Sequence, residues 1–417
     1  MVDLLRPQVK SIKDDYLRTF ELFEKKGQAQ NPSWVNQTRK EAIARFSNLN
    51  FPTTREEAWK YTNVSPIVET PFKFVFDSTA CGVTRKQIEP FNFGEKSWHQ
   101  LVFVNGSYRQ ELSSVPASQN GLKLSSLESI LISDSKLLEP HLARHAQYEQ
   151  NPFTALNTAF IRDGAFIYLP KGKELDEPVH LLFISVAQDG TTISQPRTLI
   201  LLGPSSKATI IESYVSLAQD RYFTNAVTEV VLGEGASLDH YKLERENEHA
   251  FHIGTTEVHQ DRDSTCWSSS ITMGGELTRN NLNMSLGGEG CECILNGLYL
   301  ASGGQHMDHT TLIDHLKPHG TSHQLYKGIL SGKSTGVFSG KIFVRQDAQR
   351  TDAKQINKNL LLSREATVNT KPQLEILANE RNSEKYHGIN YCKGSARREK
   401  FRPEKHPPEP SREELFR

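Results

Sequence analysis

Long apolar runs are missing from this chain. None of its 417 residues falls in a stretch close to the roughly eighteen consecutive apolar side chains that a spanning helix needs. The start, Met1-Val2-Asp3-Leu4-Leu5-Arg6, lacks the apolar core of a secretory signal. It is not the Arg/Ser-rich, acid-poor start of a transit peptide either. The expectation is a cytoplasmic protein with no membrane partner. Charge excess is also absent: Lys plus Arg and Asp plus Glu are 49 each. A nucleic-acid binder shows a basic excess, so that class is set aside. Cysteine is scarce. Cys81, Cys266, Cys291, Cys293 and Cys392 are odd in number and sparse, unlike a disulfide framework. Cys291 and Cys293 would face one side of a strand. A C-x-C pair can hold metal, but a structural zinc site needs four ligands. The preferred reading is two small buried hydrophobes.

Helical periodicity is confined to the first part. Lys10 to Lys26 carries Ile12, Tyr16, Leu17, Phe20 and Phe23 at helical spacing, Arg39 to Leu49 continues in the same way, and Leu124 to His145 reads as helix. Leu101–Val104 reads as a strand entering an Asn105-Gly106 turn. From about Asp163 to Ile376 short β-prone runs take over: Ala165–Leu169, Val179–Ser185, Thr198–Leu202, Ala208–Val215, Ala226–Leu232 and Ser237–Leu243. Leu202-Gly203, Leu232-Gly233 and Leu286-Gly287 each precede a small-residue turn and another strand, a weak repeat that points to a solenoid. Crossover helices are missing, which disfavours a doubly wound sheet. A jelly roll is the competing fold. The organisation expected is 1–160 mostly helical, 161–377 β-helix core, and 378–417 an atypical tail. In that tail seventeen of forty residues are Glu, Lys or Arg and only two are Ile, Leu or Val, too few to offset chain entropy.

What is present, and concentrated, is histidine. His306, His309, His315, His319 and His323 fall within eighteen residues. With Asp308 and Asp314 nearby they suggest metal. The other reading, which we prefer, is polar side chains stacked on a solenoid face, since Thr310, Thr311, Leu312 and Ile313 favour a strand. Gly332-Lys333-Ser334 resembles the end of a phosphate loop, but the position that should be Gly is Lys327 and no helix follows. Gly332-Lys333-Ser334-Thr335-Gly336 matches the G-x-S-x-G string without the strand–turn–helix context it requires. Intrinsic nucleotide hydrolysis and serine hydrolysis are both disfavoured. A β-helix enzyme cleaving polysaccharide with two acids and a His-rich metal-binding β protein stay as alternatives.

An ordered set of segments then carries a resemblance. Asp308–His315, Ser322–Leu330, Gly336–Ile342, Ala348–Ala353, Gln355–Ser363 and Pro372–Ile376 resemble the core of the SufB/SufD family of the SUF iron–sulfur cluster assembly system. Phe51–Thr62, Val102–Gly106 and Asn151–Asn157 are similar to the SufD branch. The resemblance covers roughly residues 40 to 376. It implies a right-handed parallel β-helix with an N-terminal helical region, and a non-catalytic scaffold. It implies partners of the SufB type and an ATPase of the SufC type that hydrolyses ATP. No cofactor is expected on this chain alone, and an iron–sulfur cluster would sit transiently at the complex interface. His309, His315 and His323 are candidates for a partner-facing or cluster-proximal surface. Tyr326, Lys327, Gln355 and Asn359 are candidates for the partner interface. His387, followed by Gly388, resembles the cluster-site His-Gly but stands about two residues late. The pattern is expected to stop after Ile376, as a shifted reading frame or a lineage-specific tail would make it do.

Overall fold

A computed structural model places residues 5–27, 31–76, 81–93, 98–115, 121–186, 190–217, 219–378 and, as backbone, 386–394. Its core is a parallel β-helix of about seven coils, with two strands to a coil. One sheet stacks Ala165–Leu169, Arg197–Leu202, Tyr222–Leu232, Phe251–Gln260, Leu277–Leu286, His306–His315, Thr335–Val344 and Thr367–Ile376. The second stacks His99–Val104, Val179–Ser185, Lys207–Ser216, Ser237–Arg245, Thr265–Met273, Glu292–Ala301, Thr321–Leu330, Asp352–Leu361 and Tyr386–Gly394. All neighbours within these two stacks run parallel, which rules out the antiparallel jelly roll.

Alternation sets the interior. Along Glu292–Ala301 every second residue is buried, as a strand with one face inside requires. Ala208, Leu238, Cys266, Cys293, Ser322 and Ala353 stand in register on successive coils and form one buried ladder. Cys266, Cys291 and Cys293 are free and buried, and burial pushes all three thiols up. They are packing residues.

The repeat read from Leu-Gly pairs marks the corner between sheets. Ser205, Gly235, Asp263, Gly290, His319 and Arg350 all take positive φ, between 54° and 72°. From Ser205 to His319, each amide donates to the carbonyl just before the next such residue, at 2.8–3.1 Å. One corner thus hydrogen-bonds to the next. Gly332, from the phosphate-loop string, is a left-handed turn with φ 66° leading into the strand Thr335–Val344. A Cβ there would press on the Gly303 backbone at 2.9–3.0 Å.

The helices Leu5–Gly27, Ser33–Asn48 and Pro152–Ala159 cover the outer face of the first sheet. Tyr16, Phe20, Phe23, Phe46 and Phe153 pack there with Phe223, Phe251 and Leu277. Asn151 caps the last of these helices, its Oδ1 accepting from the amides of Phe153 and Thr154. The expected helix Leu124–His145 is broken. Lys123–Ser126 is a strand on Ala165–Tyr168, and the helix Leu127–Ser133 ends at Asp134. The strand wins because Leu124 continues the apolar edge of the sheet. No described helix is long and apolar enough to cross a membrane.

Candidate functional site

The five clustered histidines separate once the chain coils. His306 faces outward beneath the N-terminal region, its Nε2 2.9 Å from Thr62 Oγ1. His309 points inward, stacked on Tyr299 and with Tyr326 tilted against its other side, ring centroids 5.1 and 5.5 Å away. His315 also points inward, its Nε2 2.9 Å from Ser322 Oγ. His319 is a corner residue near Glu289. His323 faces out on the second sheet beside Lys354, at 3.3 Å, and Asp352. Burial brings both His309 and His315 down to about 4, so both are neutral inside the solenoid. His309, His315 and His323 do not converge. Among the described residues no group of three or more His, Cys, Asp or Glu side chains is placed to hold a metal ion.

The Phe51–Thr62 segment acts as a clasp. Thr62 Oγ1 donates to Asp308, which also takes the Arg279 guanidinium at 2.6 Å. Arg279 lies 3.7 Å over the Trp59 ring, and Glu57 pairs with Lys371. Asp308, read from sequence as a possible ligand neighbour, holds the N-terminal region to the β-helix.

The interior holds a polar core outside every candidate site singled out from the sequence. Glu212, His240, Lys242, Glu244, Glu246 and His252 point between the sheets and are buried. Lys242 Nζ lies 3.2 Å from Glu244, 3.3 Å from His252 and 2.5 Å from Asn280. His252 reaches Glu246 at 2.8 Å and Glu244 at 3.1 Å, and His240 reaches Glu212 at 3.1 Å. Burial pushes the Glu244 carboxyl up, but Lys242 and His252 override it and hold it down to about 2. Gly254 makes room: a Cβ there would collide with Lys242 Nζ and Asn280. The signal was available in His240-x-Lys242-x-Glu244, a period-two polar row alternating with Tyr241 and Leu243.

A second polar centre lies outside the first sheet. Glu257 stands in register opposite Glu229, and burial first, then that neighbouring charge, raise it to about 8. Its folded value exceeds the ordinary one. Its contribution is therefore present below the unfolded carboxylate value and lost as pH rises from there through about 8. Glu257→Gln is expected to stabilise the protein by about 1–3 kcal/mol at pH 7.5 and not at pH 4. Urea midpoints at the two pH values check this; a gain equal at both would show that ionisation is not the cause.

At the C-terminal coils, Trp267, Ile294, His323, Lys354 and His387 follow one another in register on the second sheet. Of the four expected partner residues only Lys327 is exposed. Tyr326, Gln355 and Asn359 are buried between the sheets. Tyr299 donates to Asn359, and Gln355 donates to the Gly340 carbonyl at 3.2 Å. They sit on the inward period of strands whose outward period carries Lys327 and Leu360.

Residues 10–181 match the model of the SufBD protein N-terminal region, and 183–388 match the model "SUF system FeS cluster assembly, SufBD core domain". The SufBD family protein slr0076 of Synechocystis is 32% identical over 351 residues, 82% of this chain and 76% of that protein. This chain belongs to the SufBD family. The iron–sulfur cluster assembly protein SufD of Escherichia coli is 30% identical over 361 residues, 86% of this chain and 80% of that protein. SufD of Bacillus subtilis is 23% identical over 376 residues, 88% and 83% of the two chains. The SufBD core match corrects one expectation: it does not stop after Ile376 but runs through His387-Gly388. Tyr386–Gly394 adds a further strand in register, with His387 opposite Lys354. Residues 379–385 and 395–417 lie outside the described residues.

Proposed function

We propose that this SufBD protein is a non-catalytic scaffold subunit of the SufD type, which pairs with a SufB-type subunit and recruits a SufC-type ATPase in the cytoplasm. The supporting observation is the end of the β-helix. Thr367–Ile376 pairs only with Thr335–Val344, and Tyr386–Gly394 only with Asp352–Leu361, among the described residues. Open strand edges present unpaired backbone donors and acceptors, a ready surface for another β-helix. In this reading the cluster is cargo assembled at that junction, with His387 beside it and His323 two coils away in the same register. Cluster ligands from this chain and ATP hydrolysis by the partner are parts of the proposal.

Co-expression with SufB-type and SufC-type subunits tests it. The expected result is a stable ternary complex, lost when Thr370→Pro removes an edge donor. A folded chain that co-purifies with neither subunit overturns the proposal. Deleting residues 395–417 is expected to weaken SufC-type binding; unchanged affinity would remove the tail from docking.

A further inference from the structure

The two outer faces of the β-helix are covered unequally. The helical region overlies the first sheet. On the second sheet, the chain's own segment Val83–Phe91 covers Val102, Val104, Leu182, Ile184 and Val215. Among the described residues that cover ends where Arg245 lies over the Phe91 ring. Beyond it, several outward positions are aliphatic. Ile271 and Leu298 stand in register, as do Leu300, Ile329 and Leu360. None of these side chains is buried. Trp267 is 48% exposed, Ile329 36% and Leu360 42%. Ten-residue strands of ~33 Å, four abreast at ~4.8 Å, make a face wide enough for a helix of ~10 Å diameter. A contiguous patch of this kind marks an interaction surface.

Charge selects the occupant. The acids of this face, Asp239, Glu292 and Asp352, lie near the strand starts. Farther along, in register with Leu298, stand Lys327 and Lys358. Where this β-helix is covered, helical segments cover it. We infer that the outer face of the second sheet from Trp267 to Leu360 docks an amphipathic α-helix of a partner protein, with acidic residues flanking its apolar stripe. The apolar stripe seats on Leu300, Ile329 and Leu360, and the acidic flank meets Lys327.

The test uses the full chain and two fluorescein-labelled helical peptides of ~18 residues, each with a leucine stripe, one flanked by Glu and the other by Lys. Anisotropy should report binding of the Glu peptide at least ~10-fold tighter than the Lys peptide. Ile329→Asp should weaken it by a similar factor, and Lys327→Glu should reverse the preference. Circular dichroism confirms that the variants fold; if Ile329→Asp does not, the exposed Lys327→Glu decides alone. Equal binding of both peptides, binding unmoved by these variants, or no binding of either peptide overturns the inference. A wild-type dimer that Ile329→Asp converts to monomer assigns the face to a second copy and overturns it as well.

Discussion

Arg197→Met is expected to destabilise the protein by about 3–5 kcal/mol. Both Arg197 and Glu229 have fully buried side chains, and the guanidinium Nη2 lies 2.6 Å from Glu229 Oε2. Arg197 Nη1 also donates to Asn157 Oδ1 and Thr158 Oγ1, each at 3.1 Å. Glu229 accepts from the amides of Ala143, His145 and Ala146 at 2.8–3.0 Å. Burial alone would push the Glu229 carboxyl up; Arg197 and the amides hold it below the ordinary range. Methionine would fill the volume but leave the carboxylate without its counter-charge. Removing both charges in Arg197→Met with Glu229→Gln should recover part of the loss, because the stranded charge disappears. Urea unfolding of the three proteins checks this. A single variant within about 1 kcal/mol of the parent would show that the pair does not hold the 139–146 loop and the helix Pro152–Ala159 on the solenoid.

The β-helix was legible because its strands carry short-range signals. Ala165–Leu169 and Val179–Ser185 have the bounds read from their β-branched and aromatic runs. The Leu-Gly repeats mark the corners where φ turns positive or backbones approach closely. The site was less legible, for three physical reasons. Sequence spacing does not tell which side of a strand faces in, and a slip of one residue inverts every assignment. That is why Tyr326, Gln355 and Asn359 read as surface and are interior. A parallel coil also brings together residues about thirty positions apart and separates close neighbours. His306 to His323 therefore scatter over two sheets and a corner, while Thr62 meets Asp308 across 246 positions. Finally, polar rows are expected outside, and the row His240, Lys242, Glu244 breaks that rule. Its charges are paired, which is the condition under which burial is tolerated.

That row supplies the second large effect. Lys242→Met is expected to destabilise the protein by about 3–5 kcal/mol at neutral pH, because Glu244 remains buried while losing the ammonium 3.2 Å away. The pH dependence separates this cause from lost packing. Glu244 is held at about 2 in the folded protein, below the ordinary carboxylate value. Its stabilising contribution is present above that ordinary value and lost as pH falls toward about 2. The gap between parent and Lys242→Met should therefore be widest above about pH 4.5 and narrow on acidification. The double variant Lys242→Met with Glu244→Gln should be less destabilised than the single one at pH 7.5 and show no such narrowing. Urea midpoints at pH 7.5 and 3.5 measure both quantities. Equal losses in the single and double variants, with a gap constant in pH, would mean that Lys242 acts through its place over Tyr214, whose ring centroid lies 5.1 Å from Nζ, and not through Glu244. The coupled result instead requires that Lys242 act through Glu244, with its ammonium also bridging the two sheets to His252 and Asn280, beneath the coils where the apolar face begins.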